Sequence, residues 1–378
     1  MRQIASRISI YSADTFGVCS ALYELGGLVV MHDASGCNST YNTHDEPRWY
    51  DFDSMVYISG ISEMEAIMGD DNKLIDDIIY TAKELNPKFI AIAGTPIPMM
   101  IGTDFKAVAS IVEKETNIPT FGFDTTGMHS YIMGANRALE EVAKRFVEEK
   151  DEKTNTSSKK VNVLGATPLD FSINQTVEDI DKFLEKNDFE VVSTWAMGST
   201  LEDMKKASSA DVNLVISYAG MGVAKYLYDK FKIPYVVGTP FGTEFSKKVV
   251  EDLNEAIKTG ENKITYVDRE INEDADVIIL GESIMSESLA YAISKEKNKT
   301  VKVISTVETE ENLLVKGDYI AMDEADITPY LKDAKVVIAD PLYKPICPVD
   351  SNFISLPHEA FSGRIYRNQI PNIIDKSL

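Results

Sequence analysis

Short, unbroken apolar runs constrain this chain more than any other feature. Leu28-Val29-Val30, Phe89 to Ala93, Val277 to Leu280 and Val336 to Ala339 contain no polar side chain. A strand with one wet face alternates apolar and polar residues, whereas runs this short and continuous belong to strands covered on both faces. Between them lie stretches of helical spacing, such as Leu74, Ile75, Ile78, Ile79 and Ala82. Strand and helix in alternation predict a doubly wound parallel sheet.

The rhythm recurs along the chain. At 378 residues it exceeds one typical domain. The expected fold class is α/β, with three tandem Rossmann-like units and parallel sheets. The units span residues 1–150, 160–260 and 261–378, the last with a C-terminal tail. The polar stretch 151–160 reads as a linker. Expected strands of the first unit are 28–30, 89–93 and 119–123; of the second, 161–164, 190–192, 212–216 and 234–237; of the third, 277–280, 301–304 and 336–339. Ser12 or Asp14 is the expected cap of a first helix that Gly26-Gly27 ends. No repeat of sequence accompanies the repeat of rhythm.

Composition excludes several function classes. A net charge of -22 is unsuited to nucleic acid, which needs a basic surface. Three widely separated cysteines form no disulfide framework, which predicts a reducing compartment. No apolar run is long enough to span a bilayer or serve as a signal peptide core, so a cytoplasmic protein is expected. There is no GxxxxGK[ST] phosphate loop, no GxGxxG after a strand, no HExxH, no CxxC and no GxSxG elbow. Gly220-Met-Gly222 reads as a tight strand-to-helix turn.

The chemistry that is left gathers at one place. After the run 28–30 comes Met31-His32-Asp33-Ala-Ser35-Gly36-Cys37, a polar turn just past a strand's C-terminal edge. That edge is where ligands sit in open α/β sheets. Gly36 permits a tight turn, and the polar surroundings favour a thiolate at Cys37. The loop 43–50 is expected over this turn. Cys19 falls on an apolar helix face and reads as a small buried hydrophobe; Cys347 reads as a loop cysteine, with a ligand or redox thiol as the alternative. Met99-Met100 and Met128-His129 are expected beside a central cleft, chiefly as packing.

Several segments together resemble the nitrogenase component 1 family, which comprises nitrogenase molybdenum–iron subunits, cofactor-assembly scaffolds and tetrapyrrole reductases. His32-Asp-Ala-Ser-Gly36-Cys37 is similar to that family's His-Gly-Pro-x-Gly-Cys turn, whose cysteine binds an iron–sulfur cluster at a subunit interface. Glu65-Ala-Ile-Met-Gly69-Asp-Asp-Asn-Lys73-Leu74 resembles its acidic, apolar, Gly, Lys-Leu motif. Thr95-Pro-Ile-Pro-Met-Met-Ile-Gly102-Thr-Asp104 resembles its Thr-Cys-x-x-Glu-x-Ile-Gly-Asp-Asp segment. Leu356-Pro-His358-Glu-Ala-Phe-Ser-Gly363 resembles its C-terminal histidine region.

The resemblance implies a metal ligand at Cys37 and a [4Fe-4S] cluster shared at a subunit interface. It departs from the family in its cysteines. Pro96 stands where the Thr-Cys cysteine belongs, Ala13 falls near the first family cysteine, and Cys19 is displaced into the helix. A four-iron cluster takes four ligands, so Asp14, Asp33 and His32 become candidate substitutes, with Thr95 beside them. His358 lies about where the catalytic nitrogenase subunit carries its cofactor histidine. The implied function is an oxidoreductase component that accepts electrons from an ATP-dependent iron protein, the partner supplying the phosphate loop this chain lacks. The alternative is a scaffold or partner subunit without redox chemistry of its own. Either implies a homodimer, or a heteromer with a sister component 1 subunit.

Overall fold

The computed structural model of this chain describes residues 7–8, 12–36, 38, 46–149, 158–270 and 275–378. Three parallel sheets carry the architecture. The first holds β1 (Leu28–Met31), β2 (Met55–Ile58), β3 (Ile90–Ala93) and β4 (Thr120–Phe123) in the order β2-β1-β3-β4. Its helices are α1 (Asp14–Leu22), α2 (Glu63–Met68), α3 (Asn72–Leu85), α4 (Pro96–Ile101), α5 (Phe105–Thr116) and α6 (Tyr131–Phe146).

The apolar run at β1 is continuous because both faces are buried. Val29 and Met31 join the large core shared with α1 and α6, while Leu28 and Val30 pack with Leu74, Ile78 and Val112 beneath α3 and α5. Each such side chain contributes about 1.5–3 kcal/mol by leaving water. The strand β2 does not appear among the sequence expectations. It lies at the sheet's edge with Tyr57 exposed and only Val56 fully buried, so it lacks the unbroken apolar signal.

The second sheet, in the order β6-β5-β7-β8-β9, holds β5 (Lys159–Ala166), β6 (Phe189–Ala196), β7 (Val212–Val215), β8 (Tyr235–Val237) and β9 (Lys263–Ile264). Around it lie α7 (Pro168–Phe171), α8 (Thr176–Lys186), α9 (Leu201–Lys205), α10 (Met221–Phe231) and α11 (Thr243–Thr259). Residues 151–157 of the expected linker lie outside the described residues. Lys159 and Lys160 are not linker but the start of β5, where the Lys160 N–H donates to the Asp211 carboxylate at 2.9 Å.

The third sheet, in the order β12-β11-β10-β13-β14, holds β10 (Val277–Gly281), β11 (Val301–Ser305), β12 (Tyr319–Ile320), β13 (Val336–Ala339) and β14 (Asn352–Ser355). Its helices are α12 (Ser283–Lys297), α13 (Glu324–Leu331) and α14 (Glu359–Ser362). The buried Arg269 guanidinium ties this sheet to its entry loop, pairing with Glu287 at 2.7 Å and with Asp318. Residues 373–375, in the C-terminal tail, bond to residues after β8. Gly242 N–H donates to the Ile373 carbonyl and Asp375 N–H to the Pro240 carbonyl.

Two glycines bring α1 and α6 into backbone contact. A Cβ on Gly17 would lie 1.9 Å from the Tyr131 carbonyl oxygen, and one on Gly134 would lie 1.8 Å from that of Asp14. The start of α1 is thereby fixed beside the loop that precedes α6. Neither expected cap works as one. Ala13 occupies the N-cap position, Ser12 bonds through its backbone to Ala360 and Tyr131, and Asp14 turns its carboxylate elsewhere.

Candidate functional site

The strands β1, β3 and β4 end side by side, and the residues after them form a polar cradle. Cys37 lies outside the described residues; its neighbours His32 to Gly36 and Asn38 lie within them. His32 leaves β1 with its N–H on the Ala93 carbonyl (2.9 Å) and its own carbonyl accepting from Thr95 Oγ1 (2.9 Å). The imidazole is buried edge-on to Phe105, and Nδ1 lies 2.8 Å from Ser59 Oγ. Burial lowers its pKa against the opposing pull of Asp71, Asp33 and Glu65, which keeps the ring neutral at pH 7. Its Nε2 has no hydrogen-bond partner among the described residues.

Asp33 fastens the turn from inside. Its Oδ1 accepts from the Ala34 N–H (2.8 Å) and its Oδ2 from the Asn38 amide (2.7 Å), one on each side of Cys37. Ser59 Oγ accepts from the Asp33 N–H at 3.1 Å, tying the turn to the end of β2. Asp14 does a similar task one strand over. Its Oδ1 accepts from the N–H groups of Thr15 (2.9 Å) and Gly127 (2.7 Å), and its Oδ2 from that of Thr126 (3.0 Å). Thr15 and Thr125 both donate their hydroxyls to the Gly94 carbonyl, and a Cβ at Gly94 would strike the Thr125 carbonyl oxygen at 2.5 Å.

His32, Asp33 and Thr95 are thus brought into one hydrogen-bonded unit, with Asp14 on the same sheet edge. Most of their polar atoms are already engaged, by backbone groups at Asp14 and Thr95, by the Ala34 N–H and the Asn38 side-chain amide at Asp33, and by Ser59 at His32 Nδ1. A carboxylate has about four lone-pair directions, and Asp14 already uses three. Among the described residues, no group of three or more His, Cys, Asp or Glu side chains is placed to hold a metal ion. Burial pushes the Cys19 thiol far above its ordinary value and the Cys347 thiol up to about 11, with Cys347 Sγ donating to the Tyr343 carbonyl. Neither is a ready thiolate. Among the described residues this donor set does not fit a four-iron cluster held within one chain.

A sequence profile of the nitrogenase component 1 type oxidoreductases matches residues 15–310, which includes the cradle residues from Thr15 to Thr126. The chain belongs to that family. It is 26% identical over 253 residues to the nitrogenase molybdenum-iron protein alpha chain of Clostridium pasteurianum, covering 66% of this chain and 45% of that one. It is 23% identical over 205 residues to a subunit of the light-independent protochlorophyllide reductase of Nostoc punctiforme, covering 52% and 40%. It is 25% identical over 281 residues to the nitrogenase iron-molybdenum cofactor biosynthesis protein NifE of Methanosarcina barkeri, covering 71% and 58%. The chain therefore spans about half the length of the curated relatives it matches. In fold it resembles nitrogenase Cp1, with a TM-score of 0.67 at 17% identity over 97% of this chain and 86% of that one.

His358 lies away from the cradle, where elements of all three units of this component 1 fold meet. It caps α14 through Nδ1, which accepts from the Ala360 N–H at 3.3 Å, and its ring stacks on Phe361. Its Nε2 lies 3.4 Å from Asp170 Oδ1. Asp170 in turn accepts from Ser217 Oγ (2.6 Å), Thr167 Oγ1 (2.9 Å) and the Tyr131 hydroxyl. Burial and the Asp170 charge raise the Glu282 carboxyl well above the usual range. Asp170, Glu282 and His358 border a cavity of about 60 Å³.

The sequence reading missed Ser59, Asn38 and Thr125. Ser59 follows β2 directly, so recognition of that edge strand would have placed it at the site. The loop expected over the turn is held elsewhere, as far as residues 46–50 show. Buried Arg48 anchors it to α1, bonding Glu46 (2.6 Å), Glu24 (2.8 Å) and the Ser20 carbonyl (2.7 Å).

Proposed function

We propose that this chain is a nitrogenase-like oxidoreductase component that receives electrons from an ATP-dependent iron protein through a [4Fe-4S] cluster at a subunit interface. Cys37 gives this chain's thiolate, and a second component 1 chain completes the ligand set. One observation carries the reading. Beside the Cys37 position Asp33 has both carboxylate oxygens bonded, Thr95 and Ser59 have their hydroxyls engaged, and His32 is held through Nδ1, with only its Nε2 lacking a hydrogen-bond partner among the described residues. The Asp14 and Asp33 carboxylates therefore position a ligand and do not replace one.

A bound cluster supplies one-electron transfer. The chain's part is to fix the turn at the strand ends, keep a neutral imidazole and apolar Phe105 behind it, and leave its outer side to a partner. The retained parallel sheets and family motifs support this reading over a loss of function. The closed junction at His358 favours a second one. A cavity of about 60 Å³ lined by Asp170, Glu282 and Asp340 has no room for a bulky cofactor or tetrapyrrole, as suits a scaffold or a partner subunit that does no chemistry at that point.

The test is chemical reduction of the anaerobically isolated complex, followed by electron paramagnetic resonance. A cluster signal that disappears in Cys37→Ser while the complex stays assembled supports the redox reading. An assembled complex with no such signal in the wild type favours the scaffold.

A further inference from the structure

After β11 the chain crosses from the third unit onto the other two. Residues 308–312 form a strap between two fixed points. On one side Val307 is buried and the Thr306 N–H donates to the Gly281 carbonyl at 3.0 Å. On the other, Leu313 is buried and its carbonyl accepts from the Tyr266 hydroxyl at 3.0 Å. Two carboxylates pin the strap. Glu308 accepts from the N–H and hydroxyl of Ser130, at the start of α6, and lies 3.2 Å from His129 Nδ1. Glu310 pairs with Lys225 of α10 and lies 3.5 Å from the Tyr218 hydroxyl.

Among the described residues, no backbone–backbone hydrogen bond joins 308–312 to the first or second unit. The pins stand in water. The His129 and Lys225 side chains are 51% and 43% exposed, and exposed ion pairs are weak and screened by salt. The packing of the units does not depend on them. Leu139, Leu214 and Ile279, one from each unit, belong to a single buried apolar core. The strap can therefore lift while the sheets stay in place.

Beneath the strap lies the junction of the three units. Thr309 Oγ1 is 2.8 Å from Ser283 Oγ, which donates to Glu282 Oε1 at 3.1 Å. Glu282 in turn accepts from the Tyr218 N–H at 3.1 Å and walls the cavity that Asp170, Asp340 and His358 also border. The closed cavity is unfavourable for the groups inside it. Asp170, Glu282 and Asp340 are buried around it, and His358 Nε2 and Thr306 Oγ1 have no hydrogen-bond partner among the described residues. Water that reaches such groups removes the penalty of leaving them unpaired. We propose that residues 308–312 are a gate: the strap lifts off Ser130 and Lys225 and opens the junction cavity to solvent while the three units stay packed. The first pin stands at the end of the loop that Asp14 holds through Thr126 and Gly127, so the gate is mounted on the sheet edge of the Cys37 turn.

Hydrogen–deuterium exchange of the full chain, read by mass spectrometry, tests the gate. Peptides 216–222 and 282–288 carry the Tyr218 and Met285 amides bonded to Glu282. In the wild type they exchange by a local opening that about 1 M urea does not accelerate, and faster at about 500 mM salt than at about 50 mM. The double variant E308A/E310A removes both pins. Exchange in the two peptides then rises at least about threefold and loses its salt dependence. Residues 132–144 of α6 and 243–259 of α11 keep their wild-type rates. A smaller rise overturns the gate. So does an equal rise in α6 and α11, because the two carboxylates would then brace the units and not gate the cavity. Wild-type exchange that accelerates with urea as the rest of the core does also overturns it, since the two peptides would then open only by global unfolding.

Discussion

Asp14 separates a ligand from a structural carboxylate, and its replacement by alanine has a magnitude that the geometry supplies. Its two oxygens accept from three backbone N–H groups, those of Thr15, Thr126 and Gly127, at 2.7–3.0 Å. A buried donor left without a partner costs about 1–3 kcal/mol. Thr15 is buried, whereas Thr126 and Gly127 are half-buried and can recruit water. The expected loss is therefore about 1–3 kcal/mol, most of it from the Thr15 N–H. Asp14→Asn would lose less, since an amide oxygen accepts two N–H groups while its NH₂ opposes the third. Urea unfolding monitored by circular dichroism measures the loss, and iron content of the folded fraction is measured on the same samples. Asp14→Ala should lower stability by that amount without changing iron per folded chain. A variant as stable as the wild type to within about 0.5 kcal/mol, or one that keeps its stability and loses iron, would refute the structural assignment.

Gly134→Ala places a methyl group 1.8 Å from the Asp14 carbonyl oxygen; α1 and α6 must part, at about 1–3 kcal/mol or more, seen as a lower thermal midpoint. Arg269→Met leaves Glu287 and Asp318 buried without their cation, and the expected cost is about 3–5 kcal/mol by the same unfolding assay. Burial raises Asp181 from 3.8 to about 6. Because the folded pKa lies above the unfolded one, this group's favourable contribution is complete below about pH 3.8 and is lost as pH rises through about 6. Asp181→Asn should therefore gain on the wild type between pH 4 and 8, by up to roughly 3 kcal/mol; parallel stability curves over that range would contradict the assignment.

The sequence disclosed what continuous burial writes into it. Strands such as β1, β3, β10 and β13 are covered on both faces and read as apolar runs, and their number implied parallel sheets before any coordinates. Edge strands did not disclose themselves, because β2 keeps Tyr57 in water and β12 is exposed at both residues. Missing β2 meant missing Ser59, which no local pattern marks. The cradle's members were legible as residues, but their work was not. Asp14 and Asp33 are acidic residues near a cysteine, and only three dimensions show that their oxygens face backbone N–H groups and, at Asp33, the Asn38 side-chain amide. Met99, Met100 and Met128 misled for a related reason: they lie exposed, and hydropathy reports a preference for burial that the fold does not satisfy at these positions.

The central claim is that Cys37 holds one corner of an iron–sulfur cluster completed by another chain. The direct measurement is iron and acid-labile sulfide per protomer, after strictly anaerobic purification from the native host together with any chain that accompanies it, for the wild type and Cys37→Ser. The account predicts iron and sulfide in equal amounts in the wild type and their loss in Cys37→Ser. Equal contents in both proteins, or none in either, would contradict it.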